Sequence, residues 1–191
     1  MAQDPPVRGV PVLDVVFPLH LERPDLATEQ EIVSAIARLW SSDFGVYTAA
    51  CRQLVETGEP AVPYLGYFGD VSKELLPGHS VSVTRIVLAP ILSRLPPPRL
   101  GTALASPYAP VRIAAARAVA ERGLKEHAPQ LQAMLRDPQE ATRAAAIAAL
   151  RALFNVYLGF RADDPPARRE QAVREWAEFL QVQGEGAEPV R

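Results

Sequence analysis

Ser106-Pro-Tyr-Ala-Pro-Val-Arg-Ile-Ala-Ala-Ala-Arg-Ala-Val-Ala-Glu-Arg-Gly123 and Asp137-Pro-Gln-Glu-Ala-Thr-Arg-Ala-Ala-Ala-Ile-Ala-Ala-Leu150 are two copies of one pattern, a short polar residue, a proline and then an alanine-rich run. A side-chain oxygen that can accept from an exposed first-turn amide, followed by a proline whose missing amide costs nothing there, is a helix start. The pattern predicts helices capped by Ser106 and Asp137, with Pro107 and Pro138 at the first helical position. An offset of 31 residues needs no gap and matches Leu104 with Leu135, Arg112 with Arg143, and Ala114, Ala115 and Ala118 with Ala145, Ala146 and Ala149. Asp164-Pro165 repeats the device.

Working outward, a 65-residue offset lays Leu39 to Gly58 on Leu104 to Gly123, pairing Ser41, Val46, Ala50, Arg52 and Gly58 with Ser106, Val111, Ala115, Arg117 and Gly123. Asp43 should cap this earlier helix and Gly58 should end it in a left-handed turn. Before it, Thr28-Glu29-Gln30-Glu31 reads as a capping box opening a helix with the apolar stripe Ile32, Val33, Ile36, Leu39 and Trp40. After it come a short apolar helix over 60–68 and an irregular connection over 69–79, as Gly66, Gly69 and Gly78 with Pro77 interrupt any regular pattern. A helix over 80–95 contains Pro90, which should kink or split it, and the prolines at 96–98 stop it and open a short helix toward Ala105. The last helix carries Val173, Trp176, Ala177 and Leu180 on one stripe. Helical units of about 30–45 residues repeated in tandem imply a solenoid, because each unit buries its apolar face only against its neighbours.

The two quoted stretches, with Thr57-Gly-Glu-Pro-Ala-Val-Pro-Tyr-Leu65 as a turn into a second repeat helix, resemble the HEAT-repeat family in its short bacterial form. The resemblance covers residues 28–182, most strongly 104–155, and departs from the family pattern at Ala109-Pro110 and Pro90. It implies an all-α fold, a right-handed solenoid of about four helical hairpins behind an N-terminal capping helix, with second helices lining a concave face. The implied pairs are 44–57 with 60–68, 80–94 with 97–105, 107–122 with 125–135, and 138–155 with 165–182. The domain reading is an extended proline-rich arm over 1–27, a solenoid over 28–182 and a flexible tail over 183–191.

Composition narrows the function. At 191 residues and 48% hydrophobic content the chain can bury a continuous core. A formal charge of -2 gives no excess of basic residues for a polyphosphate partner. Cys51, the only cysteine, excludes an internal disulfide. No apolar run approaches the roughly 20 residues of a membrane helix, and the chain reads as soluble and cytoplasmic, with an exported form whose leader has been removed as the alternative.

The candidate chemistry is sparse. Gly78-His79-Ser80-Val81-Ser82 approaches a nucleophile elbow but lacks the final glycine, and Ser80 suits a helix cap. His20, His79 and His127 show no spacing that would put two metal ligands on one helix face. Asp163 and Asp164 suit a helix start, and Cys51, aligned with Ala116, suits a small buried position. Catalytic, metal and cofactor residues are therefore read as none. The remaining candidates are partner contacts: Tyr64, Tyr67 and Phe68 as aromatic anchors, His79 in the irregular stretch, and Arg112 and Arg143 as either a ladder for an acidic partner or internal braces. The expectation is a non-enzymatic module that binds a protein or peptide through its concave face and the 69–79 stretch. The alternative is a nucleic-acid-binding or DNA-base-processing protein, because some HEAT-like folds resemble alkylpurine glycosylases. A tetrapyrrole lyase is suggested only by other members of the broader family.

Overall fold

The computed structural model describes residues 14–75 and 80–185. Its helices are α1 (Leu26–Arg38), α2 (Phe44–Thr57), α3 (Val62–Leu75), α4 (Ser80–Leu92), α5 (Pro97–Leu104), α6 (Ala109–Glu121), α7 (Ala128–Met134), α8 (Glu140–Phe154) and α9 (Pro166–Glu185). Among the described residues there is no strand. The chain is thus all-α, with the solenoid-like packing expected of tandem helical units.

One layer is continuous, with α2, α4, α6 and α8 stacked in that order. The second layer is interrupted. There α5, α7 and α9 stack on one another and α1 meets α3, but α3 turns to pack against α4 and α6. Between the layers, the extensive helix pairs are α1 with α2, α3 with α4, α5 with α6 and α7 with α8. This corrects the implied pairing: each second-layer helix lies closest to the first-layer helix that follows it, across the unit boundary. Alanines make that approach possible. Ala114, Ala115 and Val119 of α6 and Ala146 and Leu150 of α8 are all buried, and the two helices stack closely.

Several local starts differ from expectation. Asp25, rather than Thr28, caps α1, its Oδ1 accepting from the Thr28 amide at 2.9 Å. Asp43 caps α2 through the Val46 amide at 3.0 Å as expected, and Gly58 and Gly123 end α2 and α6 at φ 73° and 66°. Pro107 and Pro138 are not at the first helical position. Ser106 Oγ accepts from the Tyr108 amide at 3.2 Å and Asp137 Oδ1 from the Gln139 amide at 2.8 Å, so each side chain closes a tight turn that places the proline before the helix. The helices then start at Ala109 and Glu140.

α3 runs without a break to Leu75, so the expected short helix and irregular stretch give way to one longer helix through Gly66 and Gly69. The reason for Gly66 is close packing: a Cβ there would lie 2.7 Å from the Tyr108 ring. Likewise Pro90 does not split α4. It sits in the last turn, two residues before the helix ends at Leu92. The 65-residue echo holds in backbone more than in burial. Val46 is 37% exposed and Cys51 half-buried, whereas Val111 and Ala116 are buried. α2 begins its layer, and α6 is enclosed between α4 and α8.

Candidate functional site

Residues 14–25 form no helix and lie along the body. Val15 is buried, and the Val16 amide donates to the Tyr108 hydroxyl at 2.7 Å. The Leu21 amide donates to the Pro18 carbonyl at 2.9 Å, closing a turn. His20 Nε2 lies 3.0 Å from Glu59 Oε1, and burial pushes the Glu59 carboxyl above its ordinary range. Arg23 pairs with Glu29 at 3.1 Å and lies over the Phe17 ring. The arm is therefore strapped to the turn before α6, the turn before α3 and α1.

Between this arm, the start of α3, the end of α4, α5 and the turn at 105–108 lies a cavity of about 430 Å³. It occupies the interruption in the second layer where α3 turns away toward α6. Most of its wall is aliphatic or aromatic carbon, and Arg99 of α5 is the cation among its lining residues. Leu19 and Val16, which also line it, are exposed.

The six residues singled out from sequence are not brought together. Tyr64 is 0% exposed, packed edge-on against Phe17 at 5.4 Å, and burial pushes its phenol above the ordinary value. It is a core residue and presents no surface to a partner. Tyr67 and Phe68 are half-buried on α3, edge to face at 5.5 Å, with Tyr67 also edge-on to Tyr108. His79 lies outside the described residues, as do 76–78.

The arginines are braces. Arg112 Nη1 donates to the Ser106 and Pro107 carbonyls, both at 2.8 Å, and Nε lies 2.9 Å from Asp137 Oδ2. Arg143 Nη1 donates to the Asp137 and Pro138 carbonyls, both at 2.9 Å, while Nε and Nη2 donate to the Ala162 carbonyl. Each guanidinium closes the turn that opens its own helix and reaches forward to the next connection. Arg143 is 8% exposed, so its charge is spent inside the stack, and a ladder facing an acidic partner is not what these two residues form. Sequence alone could locate the pair by its 31-residue register but not its direction.

The Arg99 cavity went unrecognised in the sequence because its wall comes from five separated segments. Asp70 was missed for the same reason: its Oδ2 accepts from the Ala109 amide at 3.2 Å, so a side chain from α3 serves the start of α6. Among the described residues there is no group of three or more histidines, cysteines, aspartates or glutamates that could hold a metal ion, and no helix is long and apolar enough to cross a membrane.

Residues 97–177 match the family model described as HEAT repeats. No curated protein matches the chain.

Proposed function

We propose, from the match of residues 97–177 to the HEAT-repeat model, that the chain is a non-enzymatic scaffold holding a protein partner against its second helix layer, centred on Tyr67 and Phe68. HEAT repeats are in general protein-interaction scaffolds, whose stacked helices present an extended surface. The observation that carries the reading is the state of the aromatic cluster on α3. Tyr64 is committed to the core, whereas Tyr67 and Phe68 keep exposed edges and are stiffened from behind by each other and by Tyr108. Aromatic rings held in place before binding lose little entropy on contact, which is why such rings serve as interface anchors. Binding of this kind makes and breaks no bond.

A photo-crosslinking residue at position 68, with one at the exposed Arg117 of α6 as control, tests the assignment in native lysate. One protein should crosslink at 68, not at 117, and should be lost from the otherwise intact Tyr67→Ala variant. Equal capture at both positions, or capture at 117 alone, refutes the docking face. No observation favours the nucleic-acid reading, and Arg112 and Arg143 are engaged internally.

A further inference from the structure

The cavity between the arm and α5 has a chemistry of its own. Its other polar side chains each have a partner, with the Ser106 and Tyr108 hydroxyls keeping an O–H to donate. His20 faces Glu59, the Thr102 hydroxyl donates to the Pro98 carbonyl at 3.3 Å, and the Ser106 hydroxyl and Tyr108 phenol accept from the Tyr108 and Val16 amides. Arg99 is different. It lines the cavity, and among the described residues no hydrogen bond or ion pair engages its guanidinium. A guanidinium set in a largely apolar wall has few acceptors beside it, and the acceptor that suits it best is a carboxylate.

The rest of the wall decides what carries that carboxylate. A peptide would bring an amide donor and a carbonyl acceptor with every residue, each needing a partner, and the engaged wall has few to offer. A hydrocarbon chain brings none and gains from the apolar lining. The volume of about 430 Å³ lies within the roughly 300–1,000 Å³ typical of small-molecule sites. We propose that this cavity binds an aliphatic carboxylic acid, its carboxylate on Arg99 and its chain between Phe17 and Leu21 of the arm and Val62, Leu92 and Val111 of the body. The site is separate from the Tyr67 and Phe68 face and stands or falls independently of it.

The test uses the full chain, dodecanoate at pH 8 below its self-association concentration, and dodecanol as the uncharged probe of equal length. Calorimetry and amide chemical shifts should show one saturable site, with shifts centred on α5 and the arm. The acid should bind about tenfold or more tighter than the alcohol, the range of one charge-assisted hydrogen bond. Arg99→Gln should erase that preference while leaving the alcohol unchanged, Arg99→Lys should retain part of it, and Ala103→Phe should fill the cavity and weaken both probes. Equal affinity of acid and alcohol for the native chain, an acid preference that survives Arg99→Gln, shifts centred elsewhere, or no saturable binding would each overturn the proposal. If Ala103→Phe does not fold, the acid and alcohol comparison on Arg99→Gln decides alone.

Discussion

Replacing Asp137 by alanine should unravel more of the stack than its place in a turn suggests. One carboxylate oxygen accepts from the Gln139 amide at 2.8 Å, and the other lies 2.9 Å from Arg112 Nε, with the two side chains only 12% and 9% exposed. Removing one member of a buried ion pair costs about 3–5 kcal/mol because the other charge stays behind uncompensated. Arg112 keeps its two carbonyl acceptors, so the lower end, about 3 kcal/mol, is the better figure. Loss of the turn bond adds about 1 kcal/mol. Ser106 is the internal control: it makes the equivalent turn bond at 3.2 Å through a neutral hydroxyl, and Ser106→Ala should cost only about 1 kcal/mol. Together these come to about 4 kcal/mol, which for a chain of this size corresponds to roughly 8–16 °C in melting temperature, read by circular dichroism at 222 nm. Asp137→Asn, which keeps the turn acceptor and drops the charge, should fall between the two. A double-mutant cycle with Arg112→Met isolates the pair. If Asp137→Ala shifts the melt no further than Ser106→Ala, or the coupling is below about 0.5 kcal/mol, the node assigned to Asp137 is wrong.

Two further outcomes rest on packing and charge. Gly66→Ala places a Cβ 2.7–2.8 Å from three atoms of Tyr108. Overpacking of about 1–3 kcal/mol outweighs a helix gain of at most about 1 kcal/mol, so the melt should fall, and a rise would refute the close contact. Glu170 receives a forked pair of bonds from Arg136 at 2.7 and 3.0 Å, which hold its carboxyl below the ordinary value. A depressed carboxyl contributes stability that is complete above the unfolded value of about 4.3 and is lost as pH falls through the lower folded value. Native and Glu170→Gln melts should therefore differ at pH 6 and converge toward pH 3; a constant difference would refute the link.

Elements whose cause is local were legible in the sequence. Asp43, Gly58 and Gly123 act through their own or adjacent backbone, and each works as the sequence implies. Elements whose cause lies elsewhere in the chain were not. Gly66 and Gly69 read as helix breakers because the Tyr108 ring that presses on Gly66 comes from 42 positions later in the chain. The displacement of Pro107 and Pro138 from the helix start is subtler, since a cap and a turn closed by the same side chain share one sequence signal. The register of Arg112 and Arg143 was visible as a 31-residue match, but their acceptors are backbone carbonyls, which leave no mark in a sequence. The cavity at Arg99 is the extreme case, being a gap between helices rather than a property of any one of them.

The arginine braces also give the array a polarity. Arg112 reaches from its own unit to Asp137 of the next, and Arg143 reaches on to the Ala162 carbonyl, so each unit completes the one before it. Cutting the chain between these units would strand a buried charge whichever side is lost, the Arg112 guanidinium without Asp137 or the Asp137 carboxylate without Arg112. These junctions are therefore shared joints, and at Ala162 the connection before α9 supplies the acceptor that the turn opening α8 lacks.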